Sequence, residues 1–332
     1  MIIARTPFRI SFFGGGTDYP IWFRENGGAV LATTINKYCY LHCRFLPPFF
    51  EHKYHAVYSK IERTKSIDEI VHPAIRETLR YLKVEQGLSI LYDTDIPAKS
   101  GMGSSSSFIV GLLHALSVLL GKKPARKWLA KKSITIEREI LKETGGYQDQ
   151  ILAAYGGFNS IEFLPNGEFR VERLALGIRR KRELNNHLML FYTGIPRTAA
   201  EVANRYVSGF PKKRQELIRT QEFVRLGASI LKDGGDINRF GELLHEAWMT
   251  KRSLSSHVSN SVIDTIYKKA RTAGALGGKL LGAGGGGFIL FFVPPERREY
   301  VRQKLNNLTY VPFAFEPAGS KIIGSHLEEE YV

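Results

Sequence analysis

The chain has 332 residues, 43% of them apolar, and Lys plus Arg exceed Asp plus Glu by 47 to 32, a formal charge of +15. This length predicts two domains rather than one core, and no run of 18 apolar residues is present that could cross a bilayer as a helix. The two cysteines, Cys39 and Cys43, lie in one β-prone segment and read as reduced thiols rather than a disulfide or a metal site; with no signal-peptide layout at the N-terminus, a cytoplasmic location is expected.

Residues 2–13 alternate as a strand and run into Gly14-Gly15-Gly16-Thr17-Asp18, a glycine turn carrying a carboxylate. A long β-prone run covers 28–46 and breaks at Pro47-Pro48. A strand is expected over 56–59, and a helix over 68–83 with Ile70, Ala74, Ile75, Leu79 and Leu82 on one face. Residues 88–92 read as a strand. Next comes Pro97-Ala98-Lys99-Ser100-Gly101-Met102-Gly103-Ser104-Ser105-Ser106-Ser107, then a helix marked by Phe108, Leu112, Leu116 and Leu119. Small residues let backbone approach a ligand, and the N–H groups of a first helical turn attract an anion. The stretch suits a phosphate cradle; the same residues also suit a plain helix N-cap. It is not a Walker A loop, because Ser104 and no lysine follows Gly103.

A second helix is expected from 124 to about 143, ended near Gly145-Gly146, and a short one over 147–155. Strands near 158–163 and 168–174 form a hairpin about Pro165-Asn166-Gly167. The basic segment 177–186 reads as a link and the domain boundary. A strand over 187–192 follows, then helices near 197–208, 212–232, 236–252 and 261–273. The run from Gly277 to Gly287 precedes a buried strand over 288–293, closed by Pro294-Pro295. A helix near 296–306 and a strand near 309–315 complete the chain. Strands and helices mix without regular alternation, which predicts two α+β domains, 1–180 and 181–332.

Within the glycine run, Gly282-Ala283-Gly284-Gly285-Gly286-Gly287 has the G-x-G-x-x-G spacing. A strand follows it instead of a helix, so it is not a dinucleotide fingerprint. It reads as backbone lying against a ligand or another loop. Histidines 42, 52, 55 and 72 lack metal spacing, and no zinc is expected. The basic clusters are scattered and not interleaved with aromatics as a single-strand platform would be, so most read as solvated surface; the charge suits a substrate that carries phosphate.

Three glycine motifs in this order resemble those of the GHMP small-molecule kinases: 7–19, 97–107 and 279–288. The resemblance implies ATP and Mg²⁺ as cofactors, a ribosomal-S5-domain-2-like N-terminal domain that binds ATP, and a ferredoxin-like C-terminal domain. Within the family, the Gly-Gly-Gly-Thr-Asp form of the first motif looks like the D-glycero-D-manno-heptose 7-phosphate kinases. That implies phosphorylation of an anomeric hydroxyl to a 1,7-bisphosphate for nucleotide-sugar and surface-polysaccharide synthesis. The same reaction on fucose or a hexose is the nearer alternative, and nucleic-acid binding the alternative of another class. Galactokinases carry a Glu-His pair where this chain has Gly15-Gly16, which opens room for a different sugar.

By the same resemblance Asp149 matches the catalytic aspartate and Arg9 an arginine that contacts it; from the residues alone Asp149 reads first as a dipole-stabilising helix acid. Glu137 matches the magnesium-binding glutamate and Ser105, ahead of Ser104, the serine ligand. A solvated helix face is the other reading of Glu137. ATP is expected against Lys99, Ser100, Gly101, Met102, Gly103, Ser104, Ser105 and Ser106, with Tyr58 and Ser59 near the adenine. Asp18, Gly15, Gly16, Thr17, Gly284 and Gly285 are expected against the sugar. Lys99, Arg44 and Arg197 are candidates for holding a substrate phosphate. A sugar phosphate and ATP are the expected partners, with no nucleic acid or membrane.

Overall fold

The computed structural model describes residues 1–98, 100–195, 207 and 209–325. The first part of the chain forms β1 (Ile2–Phe13), α1 (Pro20–Asn26), β2 (Gly28–Phe45), β3 (Tyr54–Val57), β4 (Ile61–Thr64), α2 (Pro73–Leu82), β5 (Leu88–Thr94), α3 (Ser104–Leu119), α4 (Arg126–Ile134), a π-helical turn (Thr135–Ile140), α5 (Gln148–Tyr155), β6 (Phe158–Phe163) and β7 (Phe169–Arg173). There follow α6 (Ile178–His187), β8 (Leu188–Tyr192), α7 (Arg214–Lys232), α8 (Asn238–Leu254), α9 (Ser261–Thr272), β9 (Gly277–Leu280), β10 (Phe288–Phe292), α10 (Arg298–Lys304), β11 (Thr309–Tyr310) and β12 (Lys321–Ser325).

Among the described residues the strands form two sheets. The first runs β12-β1-β2-β5-β3-β4, with β6 beside β2 and β7 beside β6; the second runs β11-β8-β10-β9. Pairing is antiparallel except between β3 and β5. The chain's last described strand returns to the first sheet, where Ser325 faces Ile2.

Helix α3 is apolar nearly all round, as expected of a helix enclosed by protein, and packs on β1 and β2 with Ile109, Val110, Leu112 and Leu113 fully buried. That placement sets its serine-rich first turn against Pro7 and Arg9 of β1, where the Ser107 hydroxyl donates to the Pro7 carbonyl over 3.0 Å. One apolar cluster contains Phe12 and Phe13 of β1, Phe223 of α7, Phe240 of α8 and Phe288 and Phe292 of β10. The two sheets therefore share a core, which holds the loops between them in fixed register.

Three local expectations change. Residues 177–186 do not link freely but form most of α6, anchored by buried Leu184 and His187. Residues 277–280, expected in the glycine run, are strand β9, paired antiparallel with β10, and glycine at 277 lets α8 pack so closely that an added Cβ would sit 1.9 Å from the Gly241 carbonyl. The single helix expected over 124–143 switches to π geometry, where the Leu141 N–H donates to the Ile136 carbonyl over 2.9 Å. Most of the helix expected over 197–208 lies outside the described residues.

Candidate active site

The end of β1 turns sharply because Gly14, at φ +88°, passes 1.9 Å (measured from an added Cβ) from the Ala29 carbonyl. Thr17 locks the turn, its hydroxyl lying 2.9 and 2.8 Å from the carbonyls of Gly14 and Ala29, which share its one proton, and accepting from the Ala29 N–H over 3.1 Å. Its role here is structural: it is fully buried and does not line the cleft described below. The turn aims Asp18, 1% exposed, inward. The Gly16 N–H donates to Asp18 Oδ1 over 2.9 Å and the Gln148 N–H to Oδ2 over 3.3 Å. Burial pushes the Asp18 carboxyl up from its ordinary range; the Gly16 amide opposes this and nearby Asp149 reinforces it.

Asp149 lies in the first turn of α5. Arg9, projecting from β1, grips it through both carboxylate oxygens, Nε to Oδ1 over 2.7 Å and Nη2 to Oδ2 over 2.8 Å. The third arm, Nη1, donates to the Gly101 carbonyl over 2.6 Å. A two-point guanidinium–carboxylate pair fixes orientation as well as charge. Arg9 is 5% exposed, while the Asp149 side chain stays 23% open to the cleft.

Gly103, in the left-handed region at φ +77°, is the N-cap of α3. A Cβ there would lie 3.3 Å from the Asp149 carboxylate and 3.4 Å from Arg9 Cγ. The phosphate-cradle candidate and the acid–base candidate therefore adjoin. Ser106 meets Glu137 directly, its Oγ donating to Glu137 Oε2 over 2.8 Å, while Ser105, the expected metal-ligand serine, lines the cleft. Helical rotation turns Ser106 inward and leaves Ser105 exposed. Gln150 Nε2 donates to the same Oε2. Glu137 is 1% exposed rather than a solvated helix acid, and burial pushes its carboxyl up, with Ser106 and Gln150 pulling it back.

These groups line one cleft of about 190 Å³. It brings together Arg9, Gly15, Gly16, Asp18, Gly101, Gly103, Ser104, Ser105, Ser106, Glu137 and Asp149 of the expected residues. Ser100 and Met102 are buried behind it; their carbonyls accept from the Phe288 and Arg9 N–H groups. Gly284 and Gly285 do not line it. Their loop packs on other backbone: a Cβ would lie 2.6 Å from the Val258 carbonyl at Gly284, 2.6 Å from that of Ile195 at Gly286 and 2.1 Å from that of Ser100 at Gly287. Of the two readings of that glycine run, loop-on-loop packing fits Gly284, Gly286 and Gly287, while Gly282 and Ala283 at its start line the cleft. Tyr58 and Ser59 lie at the β3–β4 turn, where the Tyr58 hydroxyl donates to Glu62 over 2.7 Å and its ring meets His72 edge-on. Arg44 is exposed on β2, away from the cleft. Lys99 and Arg197 lie outside the described residues.

Two lysines of the second lobe also line the cleft. Lys279 of β9 donates to the Phe12 carbonyl over 2.7 Å, tying the second sheet to the first. Burial, with Arg9 adding to it, brings its ammonium down to about 7, against the pull of Asp18. Lys251 of α8 holds the Leu280 and Gly282 carbonyls over 3.2 and 2.5 Å. A lysine inside a short apolar strand was the available signal for Lys279; nothing local marks Lys251.

Residues 69–157 match the family model described as GHMP kinases N terminal domain, and residues 225–310 that described as GHMP kinases C terminal. The chain is 30% identical over 311 residues to D-glycero-alpha-D-manno-heptose 7-phosphate kinase of Campylobacter jejuni, covering 90% of this chain and 91% of that one. It superposes on the crystal structure of a D-glycero-D-manno-heptose 1-phosphate kinase from Bacteroides thetaiotaomicron with TM-score 0.74, at 26% identity, over 98% of this chain and 100% of that one. The Lactococcus lactis galactokinase crystallised with galactose has the same fold, with TM-score 0.74 at 19% identity, over 96% and 94% of the two chains.

Proposed function

The chain belongs to the GHMP kinase family and is an ATP-dependent sugar kinase, and we propose that its acceptor is the anomeric hydroxyl of D-glycero-D-manno-heptose 7-phosphate, which it converts to the 1,7-bisphosphate. The observation that carries the reading is the Arg9–Asp149 pair, set against the N-terminus of α3 and beside buried Asp18 in one cleft.

The chemistry assigned to these residues follows from their placement. Asp149 accepts the proton of the attacking hydroxyl. As that oxygen bonds to the γ-phosphorus, the bond to the β,γ-bridging oxygen breaks and ADP leaves. Arg9 holds Asp149 in place through both carboxylate oxygens, and its charge faces the transferring group. Asp18 accepts a hydrogen bond from a neighbouring sugar hydroxyl. The N–H groups of the first turn of α3, with Ser104 and Ser105, receive the phosphates.

The residues present also fit a magnesium ion. Both side-chain hydrogen bonds of Glu137 fall on Oε2, so Oε1 is uncommitted among the described residues, and the exposed Ser105 hydroxyl lines the same cleft. Hard oxygen donors beside a phosphate site suit Mg²⁺, which when bound neutralises phosphate charge. Glu137 and Ser105 are the residues assigned to hold it.

The similarity to a heptose 7-phosphate kinase supports this sugar, and the glycines at 15 and 16 leave room for it. The deciding experiment measures ADP release over a panel of free and phosphorylated hexoses and heptoses. The heptose 7-phosphate is expected to give the highest kcat/KM. A free hexose or fucose turned over faster would overturn the assignment.

A further inference from the structure

We infer that Gln150 is a positioning residue that selects which carboxylate oxygen Glu137 turns to the cleft. This rests on the magnesium reading of Glu137 above. Two donors converge on one atom: Ser106 Oγ reaches Glu137 Oε2 over 2.8 Å, and Gln150 Nε2 donates to that same oxygen. No hydrogen bond within the described residues falls on Oε1. The carboxylate is thus pinned by one oxygen, and the other offers its lone pairs to whatever occupies the cleft. Glu137 is 1% exposed and Gln150 fully buried, so water does not substitute for either donor.

The arrangement links two parts of the site through one short helix. Asp149 and Gln150 are consecutive on α5, and their side chains diverge by about 100°. Asp149 points to Arg9, and Gln150 to Glu137 on the π-helical turn. Ser106 reaches the same oxygen from α3. Helix α5 therefore sets the orientation of the acid that would hold the metal as well as the acid that would take the proton. An amide is suited to this because it donates without adding a charge beside a buried carboxylate. Loss of such an outer partner costs roughly 10- to 100-fold in metal affinity.

The test compares the parent with Gln150→Met, which keeps the volume and removes the donor, and with Ser106→Ala and Glu137→Gln. Mg²⁺ is titrated into each full-length protein holding a non-hydrolysable ATP analogue, and the melting midpoint is followed. Turnover against Mg²⁺ is measured in parallel. Gln150→Met is expected to raise the half-saturating Mg²⁺ concentration about tenfold or more, and Ser106→Ala to shift it the same way. A lower midpoint of the free protein with a parental Mg²⁺ curve would show a packing role and overturn the inference. If Gln150→Met does not fold, Gln150→Asn, which keeps the amide but falls one methylene short, carries the same expectation. If Glu137→Gln itself titrates like the parent, the magnesium reading fails and the inference with it.

Discussion

Gly146 is a sharp probe of the proposed sugar site, because it has no side chain and so lets the Asp18 carboxylate approach its Cα. A Cβ built there would lie 1.7 Å from Asp18 Oδ2 and 2.2 Å from Asp18 Cγ. Its backbone is outside the left-handed region, so alanine brings no φ strain and acts through volume alone. Contacts below 3.0 Å do not persist, so the carboxylate must retreat by at least 3.0 − 1.7 = 1.3 Å. It would then leave the Gln148 N–H that it accepts over 3.3 Å. A misplacement of about 1 Å in a substrate-positioning group costs on the order of 100-fold, or about 2.7 kcal/mol. Gly146→Ala is therefore expected to lower kcat/KM for the sugar by about two decades while KM for ATP stays within about twofold, since the hydrogen bonds to the Asp18 carboxylate come from Gly16 and Gln148 and not from α3. Steady-state kinetics with each substrate varied in turn decides it. Gly235→Ala, whose added Cβ meets nothing within 4 Å, is the neutral control. Parental sugar kinetics in Gly146→Ala would refute the role given to Asp18.

Three further outcomes are expected. Asp149→Asn keeps the shape but cannot take a proton, so kcat should fall by about 10²- to 10⁴-fold, with nucleotide affinity by calorimetry little changed; parental turnover would remove Asp149 as the base. Lys279, with a folded pKa of about 7 against an ordinary 10.5, binds fewer protons folded than unfolded between those values. Its contribution to stability is thus worst below pH 7 and improves as pH rises toward 10. Lys279→Met should flatten the pH dependence of urea unfolding over that window, and identical slopes for parent and variant would contradict the burial argument. Phe240 is fully buried and meets Phe12 and Phe13 edge-on at 5.4 and 5.1 Å between ring centres. Phe240→Ala should cost about 3–5 kcal/mol as a fall in the urea midpoint, and a loss below about 1 kcal/mol would show that the shared core does not bind the lobes.

The residue order alone carried much of this protein. Periodic runs located β1, β2 and α3, an unbroken apolar run located β10 and flanking glycines located α5, because such signals are local and a short window suffices to see them. The glycine motifs carried the family, and with it Arg9, Asp18 and Asp149 as companions, since glycine placement records where backbone must pass close to something. What that something is, only the folded chain decided. The glycines at 284–287 read equally as a ligand cradle, yet the close neighbours are the carbonyls of Val258, Ile195 and Ser100, which lie far off in sequence. Ser105 and Ser106 are alike as text; which one meets Glu137 depends on how α3 is rotated against the π-helical turn. Lys279 and Lys251 entered the cleft the same way, through β9 and α8 docking beside the end of β1. Local periodicity reports which face of an element is buried, but the partner across that face is set by long-range packing, where no window of neighbouring residues reaches.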